Sequence, residues 1–380
     1  MFSIKGLLFL LLALLWLPLI VRYLPVHDTE LHGVSEKVVK HDFTLATWFD
    51  GSFQKKRDSY FAYNLGFRKA AVRLANELDY QLGEQRKYCV VGKGYNLMGM
   101  EYIDSYYGKD FVGYDSLKVL VNNFLHFKEI LNKNGTAFFV VIAPSKTRLH
   151  PEQIPDEFRE RETANTNYTQ FLHAFRKTGI PILDFQTWFA TIENKLPYPV
   201  YSNLGVHWSN YAATIAADSL MGYIGQITGK QTNRIKSQGI ETVTQAEGTE
   251  RDMLDILNLY SSIPLNRPLG KINTMLQTDT TNFSPTILAI GDSYYWNIIY
   301  TGIQEKFFKP GSAYYYYNST AYYNHGVILP TSQINVVKSC LSKDVVFLIY
   351  SEPNLKNIGN GIAKQFMDAY AKADTLLRKN

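Results

Sequence analysis

The sequence predicts an α/β fold: a parallel sheet covered by helices on both faces. Three observations point there. Short aliphatic and aromatic runs at 136–143, 286–290 and 344–350 carry no polar alternation, the pattern of strands buried on both faces. Segments of helical period separate them, so strands and helices alternate through most of 115–376. Each run also stops abruptly, in Pro144-Ser145-Lys146, Gly291-Asp292-Ser293 and Ser351-Glu352-Pro353-Asn354. Open α/β sheets place their ligands at such carboxyl ends.

In chain order, Gly6 to Val21 is an uncharged, leucine-rich run preceded by Lys5 and followed by Arg22, with Tyr23 and Leu24 extending it. No small-x-small cleavage pattern follows. Residues 1–25 therefore read as an uncleaved signal anchor, a single transmembrane helix. Lys5 places the short N-terminus in the cytoplasm and the main domain outside it, in the periplasm. Residues 26–49 read as a juxtamembrane linker and 50–380 as the main domain. Within it, 50–112 begins with a helical segment over 50–86, and Cys89 to Met98 reads as a strand pair around glycines. Residues 114–133 are an amphipathic helix with Leu117, Val121, Phe124, Phe127 and Leu131 on one stripe. A helix over 165–177 leads to a strand over 180–185. Ser209 is a cap for a helix over 211–224. Residues 226–284 are polar and read as an insertion of irregular structure and short helices. After the 286–290 strand come a helix at about 295–307, a tyrosine-rich strand at 313–317, and a closing helix at 360–376.

Composition narrows the function. The 380 residues are 46% hydrophobic and 19% charged, with a net charge of +5 from scattered, mixed charges. Nothing reads as a nucleic-acid face. Cys89 and Cys340 are the only cysteines, too few for a disulfide framework, and whether they form one bridge stays open. No Cys-x-x-Cys pair or histidine cluster suggests a metal, and no cofactor is expected.

The chemistry gathers at Ser293 and His207. A serine nucleophile needs a neighbouring base, and histidine suits that role near neutral pH. Val206-His207-Trp208-Ser209 lies in a turn before a helix and can cover the sheet edge where Ser293 emerges. Asp292 can tie the turn. Amides beyond Ser293, with Tyr294, and the charge of Lys146 would support an oxyanion. Trp208 and Asn354 are candidates for substrate contact, though for Trp208 anchoring its loop in the core is the stronger reading.

These pieces resemble, in order, the SGNH-hydrolase-like proteins of the periplasmic alginate O-acetyltransferase group. Trp48 to Phe53 with Gly66-Phe67-Arg68 resembles the family's N-terminal helical segment. Val91 to Tyr95 with Tyr106-Tyr107-Gly108 resembles its glycine-bearing hairpin. Ile142 to Lys146, Val206 to Ser209 and Gly291 to Ser293 resemble its strand-end and catalytic blocks. The resemblance implies a flavodoxin-like three-layer α/β/α domain. It implies acetyl transfer to an exported polysaccharide through an ester on Ser293, with a membrane-bound O-acyltransferase as acetyl donor.

The chain departs from the family at one position. The family motif is Asp-x-His-Trp, the aspartate orienting the histidine, and here Gly205 stands two before His207. Glu352 and Asp184, acids at strand ends, or a backbone carbonyl can substitute. If neither acid does, Gly205→Asp is expected to restore the orienting group and raise turnover. Two other readings stay open: a carbohydrate esterase using water as acceptor, and a degenerate, non-catalytic glycan-binding partner of a membrane acyltransferase.

Overall fold

A computed structural model of the chain describes residues 3–21, 29–33, 38–83, 88–324 and 326–377. It divides into two compact units, Met1–Arg86 with Met253–Pro264, and Lys87–Asp252 with Leu265–Asn380.

The first unit is helical. Helix Ile4–Val21 contains Pro18 and leaves Leu7, Phe9, Leu15 and Trp16 exposed. The transmembrane helix expected over 1–25 is not shown, because no helix among the described residues is long and apolar enough to cross a membrane. Arg22, Tyr23 and Leu24, and residues 34–37 of the expected linker, lie outside the described residues. Thr44 caps a short helix, Leu45–Phe49, inside the stretch read as linker. The helical segment over 50–86 is two helices, Ser52–Tyr63 and Arg68–Gln81, parted at Phe67, whose φ of 62° lies in the left-handed region. The segment after residue 252 is held by this unit's polar side chains. The Asn76 amide donates to the Leu257 carbonyl at 2.6 Å, and Glu77 accepts from the Tyr260 and Ser261 amides at 3.1 and 3.0 Å.

The second unit is the α/β domain. Its strands are β1 (Cys89–Val91), β2 (Leu97–Gly99), β3 (Ala137–Ile142), β4 (Ile182–Asp184), β5 (Lys236–Val243), β6 (Leu269–Met275), β7 (Ile287–Gly291), β8 (Ala313–Tyr316), β9 (Thr320–Tyr323), β10 (Ile328–Pro330) and β11 (Val345–Tyr350). A seven-stranded sheet runs β10-β9-β8-β7-β11-β3-β4. From β8 to β4 all neighbours are parallel, and β9 and β10 add an antiparallel edge. β7, β11 and β3, the strands read most readily from sequence, form the centre.

Both faces of the sheet are covered. On one, helix Tyr114–Lys133 buries its Leu117–Leu131 stripe against Phe138, Val140 and Ile142, and Phe127 meets Phe366 of the closing helix Ile362–Leu377 edge to face at 4.9 Å. On the other, Phe139 stacks on Phe347 at 5.2 Å and meets Tyr223 of helix Asn210–Thr228. Full burial of each such ring contributes about 1.5–3 kcal/mol, which fixes the strand register and hence the strand ends.

Two local readings are corrected. Residues 226–284 are not mainly irregular, since β5 and β6 form an antiparallel pair there. β5 is exposed along most of its length, which removes the apolar alternation that would reveal a strand. The helix expected at 295–307 breaks at Gly302 (φ 85°) into Tyr294–Tyr300 and Ile303–Lys306. Beyond these readings, β9 follows β8 through a tight turn closed by the Ser319 amide on the Tyr316 carbonyl.

Candidate active site

Ser293 stands at the carboxyl end of central strand β7. Gly291 is obligatory there, because a Cβ would collide with the Ile349 carbonyl and come within 2.6 Å of the Ile349 side chain. Asp292 is fully buried and clamps two strand ends together. One carboxylate oxygen accepts from the Ser351 amide, the Ser351 hydroxyl and the Asn354 amide at 2.7, 2.6 and 2.9 Å, and the other accepts from the Tyr294 amide at 3.1 Å. Ser293 occupies the N-cap position of helix Tyr294–Tyr300 without making the cap bond. Its hydroxyl lies 2.8 Å from His207 Nε2 instead.

His207 arrives on a loop fixed from several sides. An isolated bridge joins Tyr201 to Trp208, and Ser209 caps the following helix by accepting from the Ala212 amide at 3.2 Å. Trp208 is fully buried against Phe185 and Tyr294, with centroids 5.7 and 5.6 Å away. It anchors the loop, and the alternative of substrate contact is corrected. The Tyr294 ring lies 4.7 Å from the imidazole, and its hydroxyl donates to the Val206 carbonyl, so Tyr294 holds the histidine loop and does not face an oxyanion.

The imidazole's other nitrogen, Nδ1, is bonded to a residue that motif reading missed, Asp252. One Asp252 oxygen meets Nδ1 while the other accepts from the Val206 amide at 3.0 Å, so the carboxylate is held in two directions. Gly205 explains the displacement. A Cβ there would lie 2.8 Å from the Asp252 carboxylate and 2.6 Å from the Thr249 carbonyl. Glycine leaves the space that a carboxylate from 47 residues further along the chain fills. The expected gain from Gly205→Asp is therefore overturned: an aspartate side chain would enter occupied volume. Gly205 itself has no positive φ, so space, not backbone strain, is the obstacle.

The two acids nominated from sequence are engaged elsewhere. Asp184 caps helix Phe185–Ile192 through the Thr187 amide at 3.1 Å and also accepts from the Thr187 and Tyr168 hydroxyls. Glu352, with 2% of its side chain exposed, takes a forked pair of bonds from Arg148, whose guanidinium sits over the Tyr106 and Tyr168 rings at 5.0 and 4.9 Å. Lys146 does not face the serine either. It is buried and donates to the carbonyls of Leu97, Ser202 and Gly205 at 2.9, 2.8 and 2.9 Å, stapling the strand pair to the histidine loop. Burial pulls its ammonium down to about 7, against the opposing charge of Asp252.

The helix amides expected to form an oxyanion hole are also committed. Tyr294 N–H goes to the Asp292 carboxylate, and Tyr295 N–H to the Asp292 carbonyl at 3.3 Å. Asn354 sits beside Ser293's strand end, its amide turned to Asp292, Ser351 and Tyr317. Cys89 and Cys340 are free, buried thiols, both pushed up to about 12 by desolvation. Among the described residues, no group of three or more His, Cys, Asp or Glu side chains is placed to hold a metal.

A parallel α/β sheet with a serine at the end of a central strand, bonded to a histidine that is bonded in turn to an aspartate, has the arrangement of a serine acyl-transfer site. Residues 116–294, which include His207, Asp252 and Ser293, match the family described as "SGNH hydrolase-like domain, acetyltransferase AlgX". The family resemblance read from the sequence is thereby shown, and the domain has an SGNH-like α/β fold. The chain is 26% identical over 222 residues to the protein of Pseudomonas syringae pv. tomato (strain ATCC BAA-871 / DC3000) named "Probable alginate O-acetylase AlgJ". That match covers 57% of this chain and 54% of the relative, so it spans about half the relative's length. Among solved structures, the O-acetyltransferase domain of Pseudomonas putida AlgJ is similar at 20% identity and a TM-score of 0.45, over 71% of this chain and 93% of that one. Pseudomonas aeruginosa AlgX follows at 13% identity and a TM-score of 0.43, over 71% and 66%.

Proposed function

We propose that this protein is an O-acyltransferase, acetylating hydroxyl groups of an exported or cell-surface polysaccharide through an acyl ester on Ser293. The single observation that carries the reading is the continuous chain Ser293 Oγ, His207 Nε2, His207 Nδ1, Asp252. His207 takes the hydroxyl proton as Oγ attacks the donor's carbonyl carbon. The tetrahedral intermediate collapses, and the leaving group departs with the proton. In the second half, His207 takes a proton from a sugar hydroxyl, whose oxygen attacks the ester and releases Ser293. Asp252 fixes the tautomer that presents a bare Nε2 to the serine and stabilises the imidazolium that forms. A polysaccharide acceptor is supported by the name of the Pseudomonas syringae relative, which refers to alginate. The degenerate-partner reading loses its motive, because Gly205 accompanies a relocated acid rather than a missing one.

The same reading takes residues 1–25 as an uncleaved signal anchor in the inner membrane, with the main domain in the periplasm and a membrane-bound O-acyltransferase supplying acetyl groups. Its support is the charge-free run Gly6–Val21, continued in sequence by Tyr23 and Leu24 beyond the described helix. N-terminal sequencing of the membrane-associated protein is expected to begin at or near Met1. A soluble form starting near residue 25 would overturn the anchor.

The function is tested by supplying an activated acetyl ester with and without alginate oligosaccharides. Transfer to sugar hydroxyls at a rate above hydrolysis, abolished by Ser293→Ala, is the expected result. Acetate release with no acetylated sugar would make the protein an esterase. Undiminished turnover in Ser293→Ala would remove Ser293 as the acyl carrier, and no turnover in the wild type would remove the enzymatic reading.

A further inference from the structure

Tyr317 occupies a position that a tyrosine resists. It is the first central residue of the turn joining β8 to β9, closed by the Ser319 amide donating to the Tyr316 carbonyl at 3.0 Å. Tyr317 and Asn318 both have positive φ, 47° and 49°. This is the type I′ hairpin geometry, which favours asparagine, aspartate or glycine at the first central position. A bulky residue held there is strained and persists where the surroundings over-determine it. They do so here: the Tyr317 amide donates to the Gly291 carbonyl at 2.8 Å, tying the turn to the end of the nucleophile strand. The ring lies 4.6 Å from that of Tyr316, and the hydroxyl accepts from Asn354 at 3.4 Å, the same amide that bonds Asp292 next to Ser293.

The inventory of donors around Ser293 gives that strain a purpose. An oxyanion forming on a Ser293-bound acyl group needs hydrogen-bond donors, and those of the following helix turn are used, Tyr294 N–H and Tyr295 N–H both going to Asp292. Asn354 has two amide hydrogens, and three acceptors share them: the Asp292 carboxylate at 2.9 Å, Ser351 Oγ at 3.3 Å and the Tyr317 oxygen at 3.4 Å. Towards Asn354, then, Tyr317 is an acceptor, which leaves its own proton available to another acceptor. The Ser293 amide, which makes no backbone hydrogen bond among the described residues, is the second donor in reach.

We propose that the Tyr317 hydroxyl is a catalytic hydrogen-bond donor to the acyl oxygen of the Ser293 adduct, completing with the Ser293 amide an oxyanion hole that the helix amides cannot supply. The proposal rests on the acyl-ester reading of Ser293. In the acylation step the Oγ–C bond forms, the carbonyl π pair moves onto oxygen, and the Oγ proton passes to His207. Tyr317 shares its proton with the new oxyanion without giving it up. Burial and the nearby Asp292 charge raise the Tyr317 phenol above its ordinary value, so it stays a protonated donor through the neutral range.

The test compares full-length wild type, Tyr317→Phe, Tyr317→Asn and Ser293→Ala. p-Nitrophenyl acetate reports acylation, and an alkylboronic acid, which adds to a serine as a tetrahedral anion, reports oxyanion binding. Tyr317→Phe keeps ring and backbone, and is expected to slow acylation about 10²-fold and to weaken boronate binding in parallel, with KM little changed. Tyr317→Asn suits the turn, so it should melt no lower than wild type and be equally slow, which keeps the test valid if the phenylalanine variant folds poorly. A tyrosine that merely supports the turn would leave boronate affinity unchanged in Tyr317→Phe. Wild-type acylation and boronate affinity in Tyr317→Phe, alongside a dead Ser293→Ala, would overturn this proposal alone. Activity in Ser293→Ala would overturn it together with the function it rests on.

Discussion

Glu352 leaves the end of β11 beside the nucleophile strand, in the place where a sequence reader looks for a catalytic acid. Asp252 belongs to a polar stretch 45 residues beyond His207, away from every strand end. Yet Glu352 is buried and locked to Arg148, and Asp252, with 26% of its side chain exposed, is bonded to imidazole and a backbone amide. A carboxylate already neutralised by a guanidinium stabilises the fold by holding two loops, and has little left to offer a histidine. One whose ion-pair partner is the imidazole itself can fix a tautomer and answer the charge that forms on it. Location at a strand end is thus a weaker guide to function than what else the side chain is bonded to.

Substitutions that separate these two acids give the sharpest contrasts. Ser293→Ala and His207→Ala set the floor, each expected to cut ester turnover by about 10⁴-fold or more. Asp252→Asn should approach that floor, losing about 10⁴-fold in kcat with unfolding unchanged, as seen by steady-state kinetics and a melting curve. Glu352→Gln should show the opposite pattern. Breaking the pair leaves Arg148 uncompensated and should lower stability by roughly 3 kcal/mol in denaturant titration, while the folded fraction keeps near-wild-type kcat. Equal kinetic losses in the two variants would erase the distinction. Gly205→Asp should lower turnover, since its side chain displaces the Asp252 carboxylate. An increase would mean that the loop accommodates both acids.

A separate effect, on the pH dependence of stability, concerns Lys146, the staple of the histidine loop. Its proton is held less tightly in the fold, at about 7, than in the unfolded chain, where the ordinary value is 10.5. The unfolded state therefore binds more protons between those values, and this group's contribution to stability rises with pH from about 7 to about 10.5, by at most about 1.4 kcal/mol per unit. Lys146→Met should flatten that part of the stability profile. A slope identical to wild type would show that the three carbonyls keep the ammonium charged throughout.

The sequence made the centre of the fold legible because burial on both faces writes itself as unbroken apolar runs, and β3, β7 and β11 fall within a residue or so of the expected strands. Ser293 and His207 were legible for a related reason: each follows a recognisable chain reversal, and Gly291 and Ser209 mark the turns. Asp252 was not, because no motif spans the distance to His207 and residues 236–243 expose most of their side chains, hiding β5 and making the whole insertion look irregular. The available signal was negative. A glycine at the position where the family's acid belongs, followed by Thr249-Glu250-Arg251-Asp252 at a helix start, points to an acid arriving through space. Tyr317 was hidden too, since its meaning lies in a backbone angle rather than in a residue pattern.

The central claim is that Ser293 carries the acyl group and Asp252, not Glu352 or Asp184, orients its base. Rapid-quench intact-protein and peptide mass spectrometry after mixing with p-nitrophenyl acetate tests it most directly. Wild type, Glu352→Gln and Asp184→Asn should acquire one acetyl group on the Ser293 peptide at similar rates, and Asp252→Asn should acquire it about 10³- to 10⁴-fold more slowly. Acetylation on another residue, or a wild-type rate on Ser293 in Asp252→Asn, would contradict it.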